Sequence, residues 1–226
     1  MNVLTNHSLY EQAILFIAAL VVFTSFLMLA QKRLSSLVAV FAWQGLLLAA
    51  TTALCAYTQQ NPHLYTSALI SLVLKGFLIP WMLLRLIVKF DMHREVESLL
   101  YPTYVMTAAA ALVLFSYYVV LPIEQLSALA TRNAIAVSLA VVLLGMLAMV
   151  SRRQAVAHVV GFMSIENGLF FAAVAATQGM PMVVEIGIAF DVLVAAVVFG
   201  VFFFHIRESI DSLDVDRLNR LSEVDR

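Results

Sequence analysis

Apolar residues in this chain come in long unbroken runs rather than in alternation, and short polar breaks separate the runs. A window sized to a bilayer core, about 20 helical residues, picks out runs at 11–30, 36–58, 64–90, 103–122, 132–150, 156–177 and 182–206. The breaks carry charge or turn chemistry: Gln31-Lys32-Arg33, Gln59-Gln60-Asn61-Pro62, Asp91 to Glu97, Pro122 to Asn133, Ser151-Arg152-Arg153 and Gln178-Gly179-Met180-Pro181. The last of these divides what would otherwise read as one run from 156 to 206. Strands of a membrane barrel alternate polar and apolar over about 10 residues. The pattern therefore predicts an all-α fold, a polytopic membrane helix bundle with seven transmembrane helices.

Composition strengthens that reading. Hydrophobic residues are 63% of the 226 and charged residues 12%, with a mean hydropathy of +0.97, which describes a chain whose solvent is mostly the lipid bilayer. A net charge of -1 says nothing about partners, and no nucleic-acid partner is expected. The single cysteine, Cys55, excludes an intrachain disulfide and any thiolate cluster held by this chain alone. The five histidines show no pair at metal-ligand spacing. No phosphate-binding glycine loop, hydrolase elbow or zinc-protease motif occurs. No lysine or arginine precedes Lys32, so the first run is expected to be a retained helix rather than a secretory leader.

Charge placement sets an orientation. Lys32, Arg33, Lys89, Arg94, Arg152, Arg153, Arg207, Arg217, Arg220 and Arg226 fall on one side of a seven-helix path, and only Arg132 falls on the other. Basic residues gather in cytoplasmic loops, so the N-terminus is expected outside and the C-terminus in the cytoplasm. The basic turns also expose an internal repeat. Gln31-Lys32-Arg33 runs parallel to Ser151-Arg152-Arg153, and the segment 67–81 (SALISLVLKGFLIPW) aligns with 183–197 (VVEIGIAFDVLVAAV), setting Lys75 opposite Asp191. The expected organisation is a three-helix unit (1–100), a linking helix (101–131), a second three-helix unit in the same orientation (132–206) and a cytoplasmic tail (207–226). The tail mixes six acidic and four basic residues with spaced leucines, a composition suited to docking a partner protein rather than anionic lipid.

The candidate chemistry lies inside the runs. Lys75, Glu166 and Asp191 each sit about ten residues into a span, or about 15 Å deep, near the middle of the bilayer. A charge at that depth costs several kcal/mol or more without a partner or a water path, so these three are the leading candidates for a proton path. Buried ion pairs that lock helices together are the alternative. At 100° per residue Ser67, Ser71, Lys75, Arg85 and Lys89 share one stripe of the third run, which suggests a wetted half-path from mid-membrane inward. Arg85 and Lys89 could equally snorkel to the interface. Glu185, His158 and His205, near the ends of the last two runs, are further secondary candidates. Gln44, Thr51, Cys55 and Thr58 align on the second run, where polar contacts between helices would also explain them.

The stretch GFMSIENGLFFAAVAATQGMPMVVEIGIAFDVLVAAV, followed by a charged tail, resembles component E of the hydrogenase-4 and formate-hydrogenlyase type membrane complexes over nearly the whole chain. The last three helices are similar to the K subunit of respiratory complex I and the C subunit of multi-subunit cation/proton antiporters. In the complex I subunit, carboxylates on two adjacent helices carry the proton path, and the resemblance maps them to Glu166 and Asp191. The second is Asp where that subunit has Glu, which leaves its reach in question. Lys75 belongs to the amino-terminal unit that the shorter subunit lacks. The resemblance implies a non-redox subunit of the bacterial inner membrane, beside antiporter-like subunits and a complex I H-like membrane subunit. Nickel-iron and iron-sulfur centres are then expected in peripheral hydrogenase-like and iron-sulfur partners, with no cofactor in this chain. A purely structural subunit of that membrane arm, or the related subunit of an antiporter complex, is the alternative.

Overall fold

The computed structural model describes residues 2–60, 62–89, 96, 99–122, 129–176, 186–198 and 200. In chain order these form α1 (Asn2–Ala30), α2 (Leu34–Gln59), α3 (Pro62–Ser71), a π-helical stretch (Leu72–Leu78), α4 (Ile79–Lys89), α5 (Pro102–Val120), α6 (Leu129–Val150) and α7 (Ala155–Ala176). A shorter helix, α8 (Ile186–Val198), follows. No β-strand occurs among the described residues. The helix from α3 through the π-helical stretch to α4 is one rod.

Among the described residues six helices are long and apolar enough to cross a membrane, and α8 is a shorter apolar helix inside the last predicted run. The first six runs match the observed helices closely, because each break has a local cause. α2 ends at Gln60, which takes the left-handed conformation (φ 50, ψ 34) that closes helices, with Pro62 opening the next helix. Pro102 sits in the first turn of α5, where its missing N–H costs nothing. Glu185, His205, the outer break at 178–181 and the tail lie outside the described residues, as does most of the second half of the seventh run.

The outer surface is apolar. Phe16, Phe23, Trp43, Phe77, Leu114 and Leu169 are all exposed, as lipid-facing side chains are and as the surface of a water-soluble monomer is not. Inside, the bundle is layered along its axis. One apolar core joins Met28, Leu34, Phe41, Ile79, Leu83, Val160, Met163 and Ala195. A second joins Val21, Leu48, Ala56, Leu64, Val141, Phe170 and Val174. Between them lies a layer of polar positions: Ser25 on α1, Gln44 on α2, Lys75 in the π-helical stretch, Glu166 and Asn167 on α7, and Asp191 on α8, all buried.

Small residues let the helices approach. A Cβ on Gly145 of α6 would lie 2.9 Å from the carbonyl oxygen of Gly161 on α7, and a Cβ on Gly45 of α2 would lie 2.9 Å from the backbone of Lys75. In lipid, where apolar burial gives little drive to association, such close backbone packing is a main source of helix–helix affinity.

The two basic turns meet at one end of the bundle. Val96 donates its N–H to the Lys32 carbonyl (2.7 Å) and Leu99 to the Ser151 carbonyl (2.8 Å), so the chain after α4 is stitched to both. Arg152 is buried there, and its Nη2 donates to the carbonyls of Met28, Leu29 and Gln31. These include carbonyls at the end of α1 that have no helical partner, and a cation there also suits the helix dipole. Burial pushes the guanidinium down to about 10, which leaves it protonated at neutral pH. A residue that reads in the sequence as a cytoplasmic loop charge is thus also an internal cap.

Candidate functional site

Lys75 holds the centre of the polar layer. It is fully buried, and its Nζ lies 2.7 Å from Glu166 Oε1 and 3.3 Å from Asp191 Oδ1. The three charges come from three separate helices. The shorter contact is a charge-assisted hydrogen bond. The longer one is an ion pair without hydrogen-bond geometry, so both Asp191 oxygens lack a hydrogen-bond partner, as do Glu166 Oε2 and Ser71 Oγ. The ammonium also lies 4.8 Å from the centre of the Phe170 ring, within reach of a cation–π attraction.

Local structure puts the lysine there. In the π-helical stretch Leu72–Leu78 the backbone bonds reach one residue further than in an α-helix, and such turns concentrate at functional positions. Gly45 lets α2 lie directly against that stretch. On the opposite side, a Cβ on Gly187 would come within 2.9 Å of the Phe170 ring, so glycine keeps α8 close to α7 and brings Asp191 into range.

The π-helical stretch also overturns the polar stripe drawn from 100° spacing. Ser67, Ser71 and Lys75 are buried, whereas Arg85 and Lys89 are exposed. The longer turn shifts the phase of α4 relative to α3, so Arg85 leaves the line of Lys75 and stacks over Trp81 at 4.4 Å. His158, half-buried near the start of α7, has Nδ1 2.9 Å from the carbonyl of Gln154, far down the helix from Glu166. Glu185 and His205 are outside the described residues.

A second group adjoins the charges. Asn167 Nδ2 donates to Gln44 Oε1 (3.0 Å), Gln44 Nε2 donates to Ser25 Oγ (2.9 Å), and Ser25 Oγ donates to the Val21 carbonyl (3.0 Å). This chain of amides ties α7 to α2 and α1 one residue from Glu166. Of the stripe on α2, Thr51 and Thr58 bond back to their own helix, while Cys55 Sγ contacts the Val174 carbonyl at 3.8 Å. Among the described residues no group of three or more His, Cys, Asp or Glu side chains could hold a metal ion.

The arrangement can do two things chemically. With all three groups ionised the cluster carries one net negative charge, and one added proton makes it neutral. The protons can be distributed among four carboxylate oxygens and one amine with little movement of heavy atoms. The same contacts also lock α7, α8 and the rod of α3 and α4 together.

No family model matches the chain, and no solved structure matches it. Two kinds of relative do. Hydrogenase-4 component E of Escherichia coli K12 is 27% identical over 207 residues, 91% of this chain and 95% of that protein. The hydrogenase-4 component E of Shigella flexneri gives the same figures. An uncharacterised protein of Mycobacterium tuberculosis, Rv0085, is 31% identical over 209 residues, 92% of this chain and 95% of its own length. The chain thus belongs to the family of the mycobacterial protein Rv0085 and is distantly homologous, over nine-tenths of its length, to hydrogenase-4 component E.

Proposed function

We propose that this chain is a non-redox membrane-arm subunit of a hydrogenase-4-like, complex I-related respiratory complex, and that Glu166, Asp191 and Lys75 take part in moving protons or sodium across the membrane. The homology to hydrogenase-4 component E and six membrane-length helices fit that place. Redox chemistry belongs to partner subunits that carry nickel-iron and iron-sulfur centres, with antiporter-like and H-like membrane subunits alongside. The chain lies in a bacterial inner membrane with its basic turns in the cytoplasm.

The observation that carries the ion-handling part is one fully buried ammonium within 2.7 and 3.3 Å of two carboxylates. Buried ionisable groups of this kind are expensive in a membrane and mark ion and proton pathways. Carboxylate oxygens without a hydrogen-bond partner in the same cluster are ready acceptors for an incoming proton. A signal from the redox arm need only change the distance between Lys75 and one carboxylate to change which group holds it. Lys75 and Asp191, aligned with each other by the internal repeat, are also in contact, as would follow if the two three-helix units met at this pair.

The test is Glu166→Gln, which keeps size and hydrogen bonding but cannot ionise. Complex content in the membrane should stay near normal while ion pumping falls to background. Normal pumping at normal content would remove Glu166 from any obligatory path. One observation favours a purely structural role: apolar cores close the polar layer above and below. On that reading Glu166→Gln lowers complex content and pumping in the same proportion.

A further inference from the structure

Among the described residues, the end of the bundle that carries the two basic turns has charge of one sign. Lys32, Arg33, Arg85, Lys89 and Arg153 are all exposed toward that end. The hydrogen bonds from Val96 to Lys32 and from Leu99 to Ser151 bring both basic turns and the start of α5 to one level. The described acidic residues lie elsewhere, Glu166 and Asp191 in the polar layer and Glu11 nearer the opposite end of α1; Asp91, Glu95 and Glu97 are outside the described residues. Tyr101 and Tyr104, both exposed and in edge-to-face contact with ring centres 6.1 Å apart, stand at the start of α5, as aromatic side chains do at a membrane–water interface.

Arg85 differs from the other exposed cations in being held by a ring. Its guanidinium lies 4.4 Å from the centre of the Trp81 ring, a residue one turn nearer the polar layer, and no described residue accepts a hydrogen bond from it. Stacking covers one face of the guanidinium and leaves its N–H edge to bind. Arg85 is rooted about 6 Å along the helix from Lys89, the last residue of α4. Toward the polar layer the exposed line continues through Trp81, Phe77 and Val73, and none of these carries charge.

We propose that Trp81 and Arg85 form a binding site for an anionic phospholipid of the leaflet beside the basic turns, with its phosphate on the guanidinium and an acyl chain along Trp81, Phe77 and Val73. The line is graded with depth as such a lipid is, with a cation at the interface and hydrocarbon beneath it. A guanidinium presents two parallel N–H groups to two phosphate oxygens, and the ring against it fixes that fork in advance. Charge selects among lipids. A zwitterionic headgroup brings its own ammonium among the exposed cations, whereas an anionic headgroup gains from each lysine and arginine near it. A soluble phosphate would use only the cation, and a lipid uses the whole line.

The site is tested on the intact complex in phosphatidylcholine nanodiscs, by photolabelling with phosphatidylglycerol or phosphatidylcholine that carries a diazirine on an acyl chain and mapping the label by mass spectrometry. The phosphatidylglycerol label should concentrate on 73–89 and exceed the phosphatidylcholine label there about tenfold. Arg85→Gln should abolish that preference, and Trp81→Leu, which keeps the charge but frees the guanidinium, should cut it severalfold, both at normal complex content. Excess inorganic phosphate should leave the label in place. Equal labelling by the two lipids overturns the proposal, and is the result expected if a carboxylate of this chain or of a neighbouring subunit satisfies Arg85. Displacement by inorganic phosphate overturns it in favour of a soluble anion, and a preference unchanged in Arg85→Gln overturns it outright. So does label that reaches 73–89 only after the chain is stripped from its partners, because a neighbouring subunit then covers the face. None of these readouts depends on ion pumping, so the site stands or falls apart from the translocation reading.

Discussion

Removing the ammonium at position 75 should be far more damaging than removing the ammonium and one carboxylate together. At 3.3 and 2.7 Å, and with an effective dielectric of about 20, the gross attraction of Lys75 is about 5 kcal/mol for Asp191 and about 6 for Glu166. Desolvation offsets much of this, but it offsets nothing once a partner is gone. Lys75→Met leaves two carboxylates facing each other in an apolar interior and should destabilise by about 3–5 kcal/mol. Asp191→Asn leaves Lys75 paired with Glu166 and should cost less, about 1–3 kcal/mol for a lost charged contact. The double variant keeps one carboxylate, which can protonate, so it should recover a coupling of about 1–3 kcal/mol relative to the sum. The assay is a double-mutant cycle on the thermal unfolding of the purified complex, with membrane content by immunoblot as a second readout. Additivity within about 0.5 kcal/mol would refute direct contact between the two groups and with it the geometry of the cluster.

Gln44→Leu should leave the Asn167 amide without its acceptor, costing about 1–3 kcal/mol and lowering the unfolding temperature of the complex, whereas Gln44→Glu should partly restore it; equal loss in both variants would argue against the amide chain. Deleting the exposed residue Val73 takes one residue out of the π-helical stretch, which should return it to α-helical winding, leaving α3 and α4 near their present phase but turning Lys75 out of line with Glu166 and Asp191. Complex content should fall severalfold, while Val73→Ala should leave it unchanged; tolerance of the deletion would mean that the π-helical stretch does not position Lys75.

Much of this was legible from sequence, for identifiable reasons. Apart from the start of α1, which begins at Asn2 rather than 11, the first six apolar runs predicted helices to within a few residues because Pro62, Pro102 and the two basic turns end or begin helices by local chemistry. The depth of Lys75, Glu166 and Asp191 followed from counting residues into each run, and the structure gathers all three into one cluster. The π-helical stretch was not legible: nothing in LVLKGFL marks it, although Gly45 of α2 lies directly against it. Uniform 100° spacing therefore carried Arg85 onto the Lys75 face when it lies outside. Gln44 was visible, but as part of a stripe with threonines whose hydroxyls bond to their own helix. The better signal was Asn167, a buried amide next to Glu166 at the same depth as Gln44, since such groups in lipid must find each other. Arg152 was placed in its turn, but its second role was not legible, because charge counting cannot separate a loop cation from one that also caps the end of α1.

The account rests on the claim that the carboxylates of the cluster change protonation while the complex works. Redox-difference infrared spectroscopy of the complex in lipid observes this directly through the carboxylic acid carbonyl stretch. The expected result is a pair of difference bands in that region that appear on turnover, shift in deuterated water, and lose one component in Glu166→Gln and another in Asp191→Asn. A spectrum with no carboxylic acid difference band, or with bands that neither substitution alters, would contradict the account and leave the buried cluster as a lock between helices.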